Sequence, residues 1–378
     1  MGSWKKYRSW GREPATATVI ALPSVRPARP MRCMYWACPG GTEHSTTVER
    51  SPISEYAPGS QVVANGELFT GRYVRKIPQI GWKTYDYVNC EVCGTLNIDV
   101  HTLKEDEGKL NTCKMCKATL ERSQIKAFII PAFGFEIDPD DIRKPGLVRP
   151  QRTYRTDASY VGYRGDIQMK QMRIRNSTAM VMFSEKDEMA VLNKSDFHIC
   201  ESCGYGTSEQ SFLPVLKKDH NMSSGRRCGS NLLKRYSLGY RFETDVFQIH
   251  FPDHPVRYGS EAEAYSIMYA LLRGIVDVLN LEDNDVSGCL QTIITGGNQG
   301  YSFILYDTMP GGAGHMRRLQ EESVLNRAVE RASEFMKRCT CGGNEGHSSC
   351  YTCLRNYGNQ KYHDILDRSL AWKYFDCL

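Results

Sequence analysis

The spacing of apolar positions predicts a chain that changes period several times. In Glu55–Lys76, EYAPGSQVVANGELFTGRYVRK, β-branched and aromatic residues flank Asn65-Gly66, a pair suited to the positive φ angles of a tight turn, so a β-hairpin is expected. Phe128–Phe135 (FIIPAFGF) has the composition of a short buried strand interrupted at Pro131. Thr244–Phe251 (TDVFQIHF), Cys289–Thr295 and Tyr301–Asp307 also read as strands, the last two joined by Gly296-Gly297-Asn298-Gln299-Gly300. Between them the period lengthens. Ser260-Glu261-Ala262-Glu263 has the form of a capping box opening a helix to about Asn280, in which Ala264, Ile267, Leu271, Ile275 and Val278 share one face. A second, charged helix is expected over about Ala313–Lys337.

These elements imply an α+β fold: a mixed α/β core combined with a zinc ribbon and further cysteine-rich modules. The expected division is an extended Arg/Pro-rich lead-in (1–50), a β-hairpin and zinc-ribbon module (51–140), a basic connector (141–195), a second zinc module (196–238) and an α/β core ending in a four-cysteine cluster (239–378). With 378 residues, 41% hydrophobic and 24% charged, the chain has ordinary globular composition and length for several such units. No apolar run is long enough to span a bilayer, and MGSWKKYRSW lacks the apolar stretch of a secretory signal. The expectation is a cytoplasmic protein without a membrane partner.

Fifteen cysteines change the picture most, because eight fall in four Cys-x-x-Cys pairs and two in a Cys-x-Cys. In a long chain without an export signal, paired thiols read as metal ligands rather than disulfides. Cys90 and Cys93 with Cys113 and Cys116 have zinc-ribbon spacing: each short turn aims two thiolates at one ion about 2.3 Å away, and two turns complete a tetrahedron. Cys200 and Cys203 need two more ligands, which His220 and Cys228 supply; Asp219 and His198 are weaker claimants. Cys339, Cys341, Cys350 and Cys353 form a third set within fifteen residues. About three zinc ions are expected. Cys33 and Cys38 read as ordinary cysteines, Cys289 as a core residue and Cys377 as an uninvolved thiol.

The net charge is only +5, but Arg143–Arg175 carries nine Lys/Arg against Asp157 and Asp166, a local excess larger than that of the whole chain. Arg149, Arg152, Arg155, Arg164, Lys170, Arg173 and Arg175 are candidates for neutralising phosphates, with Tyr154, Tyr160 and Tyr163 as faces on which bases could stack. Arg226 and Arg227, followed by Lys234 and Arg235, form a second basic cluster. The chain has no G-x-x-x-x-G-K-[ST] phosphate loop and no D-E-x-[HD] acidic pair, so it lacks these signatures of an ATPase motor. G-x-S-x-G and H-E-x-x-H are absent too.

LYDTMPGGAGH (Leu305–His315), followed by CTCGGNEGHSSCYTCLRNYGNQKYHDILDRSLA (Cys339–Ala371), resembles the zinc-binding domain at the C-terminus of MrfA-type superfamily 2 DNA-repair helicases. A related domain occurs in DrmB-like proteins of the DISARM anti-phage system. The matching positions include Asp307, Gly311, Gly312, Gly314, the four cysteines, Leu354, Arg355, Tyr357, Asn359, Gln360, His363, Leu366, Asp367 and Arg368. A looser likeness extends the resemblance to about residues 50–372. It implies a zinc-containing, DNA-binding accessory module or subunit of a superfamily 2 helicase system in anti-phage defence or DNA repair. The motor would be a separate subunit or a missing N-terminal part. Two alternatives stand beside it: a nuclease-like enzyme using Asp307, His315, His363, Asp367 and Arg368, or a protein-interaction scaffold docking a helicase.

Overall fold

The computed structural model describes residues 52–77, 81–101, 110–137, 139–147, 150, 156–162, 169–208, 211, 213–295, 297–343 and 345–378. The expected lead-in, with Cys33 and Cys38, lies outside them. A short helix, α1 (Pro52–Glu55), precedes the hairpin of β1 (Gln61–Ala64) and β2 (Glu67–Val74). Asn65 and Gly66 take φ of 50° and 77°, so the turn forms where the sequence placed it. β3 (Lys83–Asn89), β4 (Leu96–Val100) and β5 (Lys126–Ile130) carry the first cysteine unit between them. β6 (Phe135–Ile137) leaves that group and pairs with β2, completing a three-stranded sheet. FIIPAFGF is therefore two strands in two sheets, split by the turn at Pro131–Gly134.

Residues 156–199, mostly expected to be connector, supply β7 (Thr156–Tyr160), β8 (Lys170–Ile174) and the 23-residue β9 (Ser177–Ile199). After β10 (Gly206–Thr207) and β11 (Val215–Lys217), β12 (Leu232–His250) runs antiparallel to β9 along nearly its whole length. β12 is the spine of an eleven-stranded sheet. Its first half pairs in parallel with β5, and its second half pairs antiparallel with β14 (Asn298–Asp307), which is joined to β13 (Val286–Thr295). The expected strand at Thr244–Phe251 is thus only the end of a much longer one.

Helix α2 (Glu261–Leu279) begins and ends close to its expected limits, and Asn280 closes it in the left-handed conformation. The capping box does not form: Ser260 makes no side-chain cap, and Glu261 accepts the Tyr301 hydroxyl at 2.9 Å. The second predicted helix divides into α3 (His315–Arg318) and α4 (Glu322–Arg338), and α5 (Arg368–Cys377) ends the chain. Ala264, Ile267, Leu271 and Ile275 pack on Phe247, Ile249, Phe303 and Leu305 of the sheet and on Leu325, Ala328 and Val329 of α4, forming the main core. Each Ile, Leu, Val or Phe among them contributes about 1.5–3 kcal/mol on burial. α2 and α4 approach so closely at Gly274 that a Cβ there would lie 2.1 Å from the Ala328 carbonyl oxygen. Only glycine fits that crossing. Cys289 is buried beside Ile304 and Tyr306, as expected of a core residue, and Cys377 is exposed. No helix among the described residues is long and apolar enough to cross a membrane.

Candidate metal centres

Three Cys-x-x-Cys turns share one backbone pattern. In the first, Gly94 N–H donates to Cys90 O (2.8 Å) and Cys90 N–H to Thr95 O (2.9 Å). Lys117 N–H to Cys113 O (3.1 Å) with Cys113 N–H to Ala118 O (2.8 Å), and Gly204 N–H to Cys200 O (2.9 Å) with Cys200 N–H to Tyr205 O (2.8 Å), repeat it. The fifth residue of each turn must take positive φ, and Gly94, Lys117 and Gly204 do so at 67°, 62° and 82°. This curl turns both thiols of a pair inward.

Cys90, Cys93, Cys113 and Cys116 converge, with Sγ–Sγ distances of 3.5 Å for Cys90–Cys116 and for Cys93–Cys113. A tetrahedral zinc site with 2.3 Å bonds has edges of about 3.8 Å, so four thiolates here fit a closed structural site. Buried Asn97, which spacing could not single out, donates to Thr95 O (3.0 Å) and Cys113 Sγ (3.6 Å) and accepts from Lys114 N–H. Burial pushes the Cys90 thiol up to about 12. Burial also raises Cys113, but the Cys116 backbone N–H and the Asn97 side chain outweigh it and bring it down to about 7.

The second group joins Cys200, Cys203, His220 and Cys228. Cys203 Sγ lies 3.2 Å from His220 Nε2, and Cys200 Sγ lies 3.9 Å from Cys228 Sγ. His220 Nδ1–H donates to Lys218 O at 2.9 Å, leaving Nε2 as the lone-pair donor toward the thiols. Its ring stacks on Tyr205 with centroids 4.6 Å apart. Both weaker claimants are elsewhere: His198 Nε2 bonds Leu213 O, and Asp219 pairs with Arg227. Cys200 falls to about 7: burial raises it, but backbone N–H groups of Cys203 and Ser202 and the His220 side chain prevail.

The third group, Cys339, Cys341, Cys350 and Cys353, has Sγ separations of 3.4 to 3.7 Å. Its support comes from the motif downstream. Arg368, buried, donates to Met336 O at the end of α4 (2.7 Å), to Cys341 O (3.1 Å) and to Gly343 O (3.2 Å). Asp367 caps α5 through Ser369 N–H (2.8 Å) and pairs with His347 (3.0 Å). Asn356 and Asn359 cap each other, and His363 Nε2 bonds Asn359 Oδ1 at 2.9 Å. Arg355 holds Ser349 Oγ and His363 O. Burial raises Cys350, but the Thr352 N–H, the Cys339 thiol and the Cys353 N–H bring it to about 6, while burial lifts Cys341 to about 11.

Asp307, at the end of β14 and fully buried, accepts from the backbone N–H groups of Ala313 (2.7 Å), His315 (3.1 Å) and Met316 (3.2 Å). Burial raises its pKa against those amides. Both oxygens are committed to shaping the PGGAGH turn. No metal-holding group among the described residues contains a carboxylate.

The predicted basic surface is dispersed. Arg149, Arg152, Arg155, Arg164, Tyr154 and Tyr163 lie outside the described residues. Tyr160 is buried and donates to Asp187 at 2.6 Å, so it offers no face for stacking. Lys170 and Arg173 are exposed on β8, three positions apart, and therefore point to opposite sides of the sheet. Arg175 is turned inward, its guanidinium bonding Phe375 O. Arg226 and Arg227 are exposed on the hairpin between His220 and Cys228, with Arg227 paired to Asp219 at 3.0 Å.

Residues 267–354 match the family described as the MrfA Zn-binding domain. Over 374 aligned positions the chain is 23% identical to the Druantia protein DruE of Escherichia coli (strain UMEA 4076-1), covering 84% of this chain and 18% of that protein. The chain thus spans 18% of the length of this curated relative. The DUF1998 helicase MrfA bound to DNA overlays with a TM-score of 0.31 at 14% identity, over 62% of this chain and 26% of that one. Its complex with DNA and AMPPNP gives 0.24 at 12% identity, over 62% and 23%. Overlays this loose establish no common architecture. What the comparisons show is a sequence likeness: residues 267–354, which run from α2 through the third cysteine cluster, match the MrfA Zn-binding domain, within a chain distantly similar to a Druantia protein.

Proposed function

We propose that the chain is a zinc-containing, nucleic-acid-binding accessory module or subunit of a superfamily 2 DNA helicase system, acting in anti-phage defence or DNA repair. Each cysteine group holds one zinc ion, three in all, in closed sites that order loops rather than activate water. DNA is the partner, and the motor is supplied by a separate subunit or by another part of a longer protein. The observation that carries this reading is the coincidence of the MrfA Zn-binding-domain match with a fully assembled four-cysteine cluster at its C-terminal end. Exposed Lys170, Arg173, Arg226 and Arg227 supply phosphate contacts, together with Arg149, Arg152, Arg155 and Arg164.

The nuclease alternative loses support from the geometry, because Asp307, His363, Asp367 and Arg368 are each engaged in holding loops and helix ends. A scaffold role has one observation in its favour: Leu213, Val215 and Leu232 lie exposed around β11, which among the described residues pairs only with β12.

The test is elemental analysis of the purified chain, followed by anisotropy titrations of single- and double-stranded oligonucleotides over a salt series. Three zinc ions and an affinity that falls linearly with log salt are expected. Full zinc loading with no oligonucleotide bound at low salt would sink the nucleic-acid reading in favour of the scaffold.

A further inference from the structure

The second basic cluster divides by partner. Arg227 pairs with Asp219 at 3.0 Å and Lys234 with Glu201 at 2.7 Å, while Arg226 stands in solvent. Arg235 is different. It is half-buried, yet among the described residues its guanidinium meets no carboxylate and makes no hydrogen bond. Its backbone is fixed, since Arg235 lies opposite His198 of β9 and donates its N–H to Pro214 O at 2.9 Å. Among the described residues no acceptor holds this guanidinium, and it keeps some contact with solvent, so it can take an incoming anion.

The surroundings favour an anion as well. Arg235 lines a cleft of about 160 Å³ with Lys126, Asp196, Pro214 and Ser237. Lys126 and Asp196 are 3.7 Å apart, so the single carboxylate is loosely engaged by one of the two cations. Ser237 Oγ, hydrogen-bonded to Tyr87 Oη at 2.8 Å, adds a hydroxyl at the wall. A forked guanidinium, a lysine and a hydroxyl in a space of a few water volumes suit a tetrahedral oxyanion.

We propose that this cleft between β5 and β12 is a phosphate subsite, with Arg235 as its fork and Lys126 as its second cation, and that on nucleic acid it holds one backbone phosphate. The last clause rests on the nucleic-acid reading above; the subsite itself does not. Arg235 thereby becomes the anchor set in the sheet, and Arg226 and Arg227 the exposed periphery.

The test uses the zinc-loaded full chain with Arg235→Ala, Arg235→Lys and Lys126→Ala variants, matched for zinc content. In oligonucleotide titrations, Arg235→Ala should weaken binding about threefold to tenfold and reduce the salt slope by about one, whereas Arg235→Lys should keep the slope. A second arm labels arginines with phenylglyoxal and reads Arg235 by mass spectrometry, with inorganic phosphate or oligonucleotide as protectant. Protection of Arg235 by both supports the proposal. Protection by inorganic phosphate alone supports the subsite and assigns it free phosphate. If the wild-type chain binds oligonucleotide while Arg235→Ala matches it in affinity and slope, and neither ligand protects Arg235, the proposal is overturned with the function intact. If no oligonucleotide binds at all, the function reading fails, and phosphate protection still decides the subsite.

Discussion

The first and third cysteine groups offer a metal the same four thiols on very different supports. Around the first, the cysteines are themselves the core: Cys90, Cys93 and Cys113 pack with Val88, Leu110 and Leu120 in a small cluster of their own. The third is bound into the main core through Cys353 and Leu354, and Arg368 ties its loop to the end of α4. Where few apolar side chains are available, metal binding is most of the local folding energy; where helices and a buried cation already hold the loop, metal completes a site the chain has largely organised. Chelation therefore separates the two. Metal removal should open 90–120 to limited proteolysis while the α2–α4–α5 core stays protected, and simultaneous cleavage of both regions would erase the distinction.

Acid should release metal from both groups. In the metal-free chain Cys90 and Cys341 keep their protons at neutral pH, being raised to about 12 and about 11, so zinc must displace protons as it binds. Affinity consequently rises with pH and falls on acidification. On lowering pH both groups should lose metal as their thiolates take up protons, which zinc release to a chromogenic chelator, compared between variants lacking one group or the other, would follow.

Arg368→Ala tests the support of the third group directly. It leaves the buried Met336 carbonyl without its donor, at about 1–3 kcal/mol, and the part-buried Cys341 and Gly343 carbonyls at less, so a global loss of about 2 kcal/mol is expected in urea unfolding followed by tryptophan fluorescence. Arg368→Lys should recover only part, because an ammonium cannot reproduce the fork. The counterpart in the ribbon is Asn97→Ala. It removes the contact to Cys113 Sγ and the amide cap on Lys114, and should weaken zinc binding about 10–100-fold while leaving the midpoint of global unfolding nearly unchanged.

The grouping of the cysteines and His220 was legible because spacing along the chain is itself the constraint: two thiols three residues apart can curl around one ion. α2 was legible through its period, and the first hairpin through Asn65-Gly66. The long strands were not. In β9 the run Ser184-Glu185-Lys186-Asp187-Glu188 reads as a polar turn, yet the strand continues through it, with Lys186 at φ of 51° and Asp187 buried against Tyr160. Burial of a carboxylate in mid-strand depends on a partner 27 residues away, which no local pattern carries. The role of Arg368 was hidden for the same reason, since its partners are backbone carbonyls far along the chain.

The finest test lies within the ribbon, where its two turns place different residues at the positive-φ position. Gly94 occupies the positive-φ site of the first at no steric cost, but Lys117 occupies that of the second at 62°, a conformation costing a side-chain-bearing residue about 1 kcal/mol. Lys117 Nζ returns something by donating to Lys114 O at 2.9 Å, an exposed contact of little weight. Lys117→Gly should therefore stabilise the ribbon by about 0.5 kcal/mol, seen as slower metal loss to a chelator, with no change in the third group. Gly204→Ala should do the reverse in the second group, because positive φ is compounded by a Cβ placed 2.2 Å from Val74 O. If Lys117→Gly instead speeds metal loss, the lysine's contact outweighs its backbone strain, and the three turns are alike in hydrogen bonding but not in what limits their stability.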